Sequence, residues 1–217
     1  ELSVRLGITI LEEDTLIFFD EIQTCERALT SLKYFEESNT NYNVIAAGSL
    51  LGVAINREKH SFPVGKVKIV TLYPLDFEEF LWAMDKEELA NMIRQSFKEN
   101  KELSLHNMAN EYYRLYLAIG GMPRAILEYK EKQDMDFVTS ILKDINNSYI
   151  ADMAKYASAT ETTKIIAVYN IISAQLAKEN KKFQYKLIKS GARAYEYENA
   201  INWLNACLLY TSDAADD

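Results

Sequence analysis

The run Leu16-Ile17-Phe18-Phe19-Asp20-Glu21 sets two adjacent carboxylates directly behind four apolar residues. A carboxylate at the C-terminal end of a buried strand can hold Mg²⁺, usually through water, beside the β- and γ-phosphates of a nucleotide. A second carboxylate next to it can orient and polarise the attacking water as general base. Neighbouring side chains diverge after the last pleat of a strand, so one can face the metal and the next the nucleophile. The run is a Walker B pattern, with Asp20 the metal and cofactor candidate and Glu21 the catalytic one. The same residues also fit a buried strand whose Asp20 caps the following helix. Taken alone they favour that simpler reading, because such caps are common.

A second apolar run, Asn43-Val-Ile-Ala-Ala47, ends close to Ser49. A hydroxyl at the end of a neighbouring strand could hydrogen-bond the attacking water or the γ-phosphate, which makes Ser49 a second catalytic candidate. An ordinary strand-to-helix turn with Ser49 as N-cap explains it equally well. Gly48 and Gly52 permit a tight turn there. A nucleophile elbow is excluded, because G-x-S-x-G would require glycine where Ala47 and Leu51 stand.

These residues need elements to position them. Thr15–Phe19 reads as a short strand buried on both faces of a parallel sheet. Residues 23–38 read as a helix with Ala28, Leu29, Leu32 and Phe35 at core spacing. Residues 43–47 give a second strand, and Gly48-Ser49 leads into a short apolar helix. Strand, helix, strand, helix is the grammar of an α/β sheet. Residues 56–66, polar with Pro63 and Gly65, read as a loop, and Lys66–Leu72 as a further strand that Pro74 stops. Asp76 and Glu79 form a capping box flanked by the staple pair Leu75 and Phe80.

Beyond it the pattern is helical, near 85–99, 104–119, 123–132, 134–158 and 161–179. Ile165, Ile166, Val168, Tyr169, Ile172 and Leu176 form a broad apolar face. The shift near residue 84 divides an incomplete α/β core, residues 1–83, from a helical lid-like region, 84–132, and a helical, winged-helix-like region, 133–206.

The net charge of −8 provides no global basic field for nucleic acid or anionic membranes. No apolar run approaches the roughly 20 residues of a membrane span. Cys25 and Cys207 lack metal-ligand spacing, and His60 and His106 stand alone, so a reduced, cytoplasmic setting fits best. Glu1 opens directly in the run-up to a strand, which reads as a cut N-terminus. The end, Cys207-Leu-Leu-Tyr-Thr-Ser-Asp-Ala-Ala-Asp-Asp217, resembles the translation of a transposase adaptor used in sequencing libraries, with a genuine acidic tail as the alternative. It is set aside from fold reasoning as an artefactual tail.

A series of motifs then matches a family: Leu16-Ile-Phe-Phe-Asp-Glu-Ile-Gln23, Ala47-Gly-Ser-Leu-Leu-Gly52, Ser61-Phe-Pro-Val-Gly-Lys-Val67, Leu72-Tyr-Pro-Leu-Asp-Phe-Glu-Glu-Phe-Leu81 and Gly120-Gly-Met-Pro123. Asp152-Met-Ala-Lys-Tyr156 and Ser190-Gly-Ala-Arg-Ala-Tyr195 continue it. In this order they resemble the bacterial and archaeal AAA-type P-loop ATPases whose ATPase core is followed by a DUF4143 domain. The resemblance covers essentially residues 1–206. It implies ATP and Mg²⁺ as cofactors, Asp20 as the Mg²⁺-binding carboxylate, Glu21 as catalytic base and Ser49 as the sensor position. The loop ending Val64-Gly-Lys66 often carries Arg in the family where this chain has Lys66, which could meet phosphate without the bidentate guanidinium fork. Arg57 and Arg124 are weaker candidates for phosphate, each more simply read as a solvated surface residue.

The main departure is an absence: no G-x-x-x-x-G-K-[ST] occurs in these residues. That loop supplies the backbone nest, the Lys charge and the Ser/Thr ligand to Mg²⁺. The resemblance puts it upstream, so the chain reads as a fragment, itself nearly inactive, of a parent that hydrolyses ATP to drive conformational change. The alternative is a nucleotide-gated switch or DNA-binding module with little turnover. For that, residues 183–206 supply a basic stretch and then a helix with Tyr197, Ala200, Ile201 and Leu204 at core spacing, compatible with a winged helix. Lys181, Lys182, Lys186, Lys189 and Arg193 could approach DNA phosphates there, although a solvated basic face accounts for them slightly better. A protein partner for the helical region also stays open.

Overall fold

The computed structural model describes residues 2–12, 14–38, 42–48, 65–178 and 182–207. The chain divides into two units, one of residues 1–69 with 157–217, the other of residues 70–156. Residues 70–83, grouped by sequence with the α/β part, lie in the helical unit.

In the first unit a short helix α1 (Leu2–Leu6) precedes strand β1 (Leu16–Phe19), helix α2 (Glu26–Glu37) and strand β2 (Asn43–Ala46). The strands pair in parallel with Leu16 opposite Asn43 and Phe19 opposite Ala46. A parallel pair needs a crossover, and α2 provides it, laying Leu29 and Leu32 with Ile22 into a cluster that takes in Phe19, Ala28, Val44 and Ala46. The period of two along each strand puts Leu16, Phe18 and Ile45 on the opposite face, where they are 55, 56 and 51% exposed. The expectation of a β1 buried on both faces is therefore corrected: one face packs on α2 and the other is bare. Helix α2 begins three residues later than its periodicity suggests, because Ile22–Thr24 forms a 3₁₀ turn first.

The expected strand at Lys66–Leu72 does not form. A strand exists only through a partner that satisfies its backbone groups, and no ladder reaches this stretch among the described residues. Ile69, Val70 and Leu72 are 65, 75 and 95% exposed. The helix expected after Ser49 and most of the 56–66 loop lie outside the described residues.

Later in this unit, α8 (Ala159–Tyr169) packs on α10 (Ala194–Ala206), burying Ile165 and Val168 against a face that carries Tyr197, Ala200 and Leu204. Between them the single helix expected over 161–179 breaks, resuming as α9 (Ile172–Leu176). The break shifts the phase, so Leu176 is exposed while Gln175 is buried. Burial of that amide is tolerated because it is bonded: Gln175 Nε2 donates to the Gln184 carbonyl at 3.0 Å and the Gln184 N–H to Gln175 Oε1 at 3.2 Å. The wing of a winged helix is a β-hairpin, and no strand occurs past Ala46 among the described residues.

The second unit holds α3 (Phe77–Ala83), α4 (Glu87–Glu99), α5 (His106–Ile119), α6 (Pro123–Lys132) and α7 (Met135–Tyr156). The capping box forms as its spacing predicts: the Glu79 N–H donates to Asp76 Oδ1 and the Asp76 N–H to Glu79 Oε2, both at 2.9 Å. Phe80, Ile119, Ala125, Ile126, Val138 and Ile141 make the main core, against which Leu75 packs. Each large side chain so buried contributes about 1.5–3 kcal/mol.

The turn into α6 is held by a close backbone approach. Leu75 donates its N–H to the Gly121 carbonyl at 2.8 Å, and Tyr116 donates its hydroxyl to the Leu75 carbonyl at 3.0 Å. A Cβ on Gly121 would lie 2.2 Å from the Leu75 carbonyl oxygen and 2.9 Å from its nitrogen. Backbone cannot yield as a flexible side chain does. Gly121→Ala is expected to cost at least about 2 kcal/mol in denaturant unfolding, against about 1 kcal/mol for loss of the cap in Asp76→Ala. Equal, small losses in both variants would show that the approach at Gly121 is not needed.

Candidate functional site

The two carboxylates sit where β1 ends. Beyond the last paired residues, the Ala47 N–H donates to the Phe19 carbonyl at 2.8 Å and the Ile22 N–H to the Ala47 carbonyl at 3.0 Å. The second bond carries the ladder past the strands and leaves Ile22 1% exposed, which forces the chain to turn between Phe19 and Ile22. Asp20 and Glu21 occupy that turn, and both side chains are exposed.

Glu21 adopts φ 49° and ψ 43°, the left-handed region. For a non-glycine residue this costs on the order of 1–2 kcal/mol, so its surroundings must hold it. Its N–H donates to Asp20 Oδ1 at 3.0 Å. Its carbonyl accepts from the Thr24 N–H at 2.9 Å and the Thr24 hydroxyl at 2.8 Å. Its carboxylate Oε2 accepts from Gln23 Nε2. The N–H, the carbonyl and one carboxylate oxygen of Glu21 are thereby engaged within four residues of chain. Asp20 does not cap α2, whose N-cap is Cys25 without a side-chain cap bond; the 3₁₀ turn before it has Glu21 as its N-cap.

The other candidates divide. Ser49 and Arg57 lie outside the described residues, as does Lys181. Lys66 belongs to the same unit as the carboxylate pair, but its ammonium lies 2.8 Å from Glu36 Oε2 on α2. That hydrogen bond and the Glu36 charge hold its pKa above the usual lysine value. Arg124, near the start of α6, belongs to the other unit. In the C-terminal segment Lys186 and Arg193 are exposed. Lys189 is committed elsewhere, 3.0 Å from Glu196 Oε2 and over the Tyr197 ring. The Glu196 hydrogen bond raises the Lys189 pKa, and the same bond lowers that of Glu196.

Gln23 and Thr24 were not singled out from sequence. Sequence carries no signal for them, because the contact depends on a left-handed backbone at a glutamate, a conformation that sequence patterns assign to glycine or asparagine.

Mg²⁺ takes six ligands, commonly one or two carboxylates with water and phosphate completing the octahedron. Two adjacent exposed carboxylates at a strand end fit that partial demand. They do not make a self-sufficient metal site, and among the described residues no group of three or more His, Cys, Asp or Glu side chains gathers in one place.

Residues 3–81 match the family model described as an AAA domain. The AAA domain match spans both strands and the acidic turn, and supports an AAA-type P-loop domain and a nucleotide-binding protein. A second model, described as a domain of unknown function (DUF8612), matches residues 110–212. It is a different domain from the DUF4143 that the resemblance implies, and its match runs into the stretch read as adaptor-encoded. No curated protein and no solved structure matches the chain. No helix among the described residues is long and apolar enough to cross a membrane.

Cys25 stands next to the acidic turn and is exposed, whereas burial pushes the Cys207 thiol up to about 12. The thiolate is the reactive form. At pH 8 iodoacetamide is expected to modify the exposed Cys25 at least about tenfold faster than Cys207. Comparable rates on peptide mapping would show that Cys207 is not protected.

Proposed function

We propose that this chain carries the acidic half of a Mg²⁺-dependent ATPase site, with Asp20 toward the metal and Glu21 as the base that activates water. The observation that carries the reading is Glu21 itself. It stands beside Asp20 at the end of β1, in a left-handed backbone held by bonds at its N–H, its carbonyl and its side chain. Strain of this kind collects at functional sites, and the AAA domain match covers it.

ATP with its Mg²⁺, once bound, supplies a γ-phosphoryl group with stabilised charge. The residues described supply position. The bonds around Glu21 hold its backbone, and the exposed Asp20 carboxylate stands beside it at the same strand end. The phosphate-binding loop that the chemistry also requires does not occur in these residues, so the proposed hydrolysis needs such a loop in addition to them. Ser49 as sensor and Lys66 as a phosphate contact belong to the same proposal. For Lys66, release from Glu36 would have to accompany nucleotide binding.

The test is steady-state ATP hydrolysis by the complete gene product, wild type against Glu21→Gln, with ATP binding measured in parallel. A fall in turnover of about two orders of magnitude or more with binding retained is the expected result. Equal, near-zero turnover in both proteins with tight binding intact would replace the ATPase by a nucleotide-gated switch.

A further inference from the structure

We propose that Gln23 is a positioning residue for the Glu21 carboxylate, its side-chain amide holding the base in one orientation at the end of β1. The inference rests on the reading of Glu21 as base and adds the group through which that base is aimed.

Gln23 Nε2 donates to Glu21 Oε2 at 2.5 Å. Only the NH₂ end of the carboxamide can face a carboxylate, since the oxygen would meet it lone pair to lone pair. The charge on Glu21 therefore fixes which way the amide lies. The other end bears the cost, because Gln23 Oε1 is buried and has no hydrogen-bond partner among the described residues. A glutamine with no task at Glu21 would turn its oxygen to water. The orphaned acceptor is the mark of an amide held in place for its donor.

The backbone makes the contact possible. In a strand, residues two apart lie on one face about 7 Å apart, and in a helix they do not face each other. Here Glu21 is left-handed and Ile22 is anchored to Ala47, so the chain folds back and brings the two side chains together. Thr24, bonded twice to the Glu21 carbonyl, keeps the fold-back from opening. Gln23 thus acts on the side chain and Thr24 on the backbone. The structure separates the two roles.

Two measurements test this. In the ¹⁵N-labelled chain, the Gln23 side-chain amide signals, assigned by their loss in Gln23→Leu, are expected to shift and to exchange faster with solvent in Glu21→Ala. Unchanged shifts and exchange would remove the hydrogen bond and with it the proposal. In the complete gene product, Gln23→Leu is expected to lower kcat about tenfold, the scale of one charge-assisted hydrogen bond, with KM for ATP and Tm unchanged. In a Glu21→Gln background the same change is expected to lower kcat no further, because the group it acts through is gone. An equal fall in both backgrounds, or a loss confined to Tm, would make Gln23 a structural residue and overturn the inference. Full activity in Gln23→Leu where Glu21→Gln is crippled would overturn this inference alone. Full activity in Glu21→Gln would overturn the ATPase reading and this one with it.

Discussion

The Ile22 N–H donating to the Ala47 carbonyl is the bond on which the acidic turn depends. The chain leaves β1 at Phe19 and must present its next free donor but one to the end of β2, while the Ile22 side chain enters the core with Leu29 and Leu32. Those two demands fix both ends of a very short span. Asp20 and Glu21 absorb the geometric remainder, and the left-handed backbone of Glu21 is what is left once both ends are pinned. The position of the carboxylates is set by hydrophobic burial on one side and a ladder bond on the other, neither of which involves a charge. This is how a scaffold can hold exposed acidic groups in a fixed place without burying them.

The parts of the fold that were legible in the sequence are those written by near neighbours. The Asp76–Glu79 capping box, the limits of α6 at Pro123 and Lys132, and the core positions Tyr197, Ala200 and Leu204 follow from residues within a turn or two of each other. What was not legible depends on something distant. Lys66–Leu72 has strand-forming residues but no ladder among the described residues, and a strand is a property of a pair. Burial of Gln175 in place of Leu176 reflects a break in the helix together with a bond to residue 184, and no periodicity records either. At the candidate site, the two carboxylates could be read from their place behind an apolar run. The Gln23 contact could not, because it requires a backbone conformation that sequence patterns assign to glycine or asparagine.

The two units also differ in how complete their packing is. Residues 70–156 surround their own core: Phe80, Ile119, Ala125 and Val138 are essentially inaccessible, and a satellite cluster of Leu81, Leu89, Ala90 and Ala109 joins α3, α4 and α5. The sheet of the other unit is covered on one side only, with Leu16, Phe18 and Ile45 open. An exposed apolar face of this kind favours the packing of a further layer against it. Local opening should therefore be easier around β1 and β2 than within the helical core, in keeping with the general rule that sites which must bind and release are drawn from the less stable parts of a protein.

The left-handed backbone at Glu21 carries an evolutionary consequence. Glycine or asparagine at that position would relax the main chain, and either would remove the carboxylate. If Glu21 is the base proposed above, stability and chemistry pull this codon in opposite directions. In a lineage where hydrolysis no longer mattered, drift would be expected to erode Glu21 before the buried Ile22 beside it. The two neighbouring positions would then act as a record: isoleucine kept with glutamate lost would mark a descendant that still folds this turn but has abandoned its reaction.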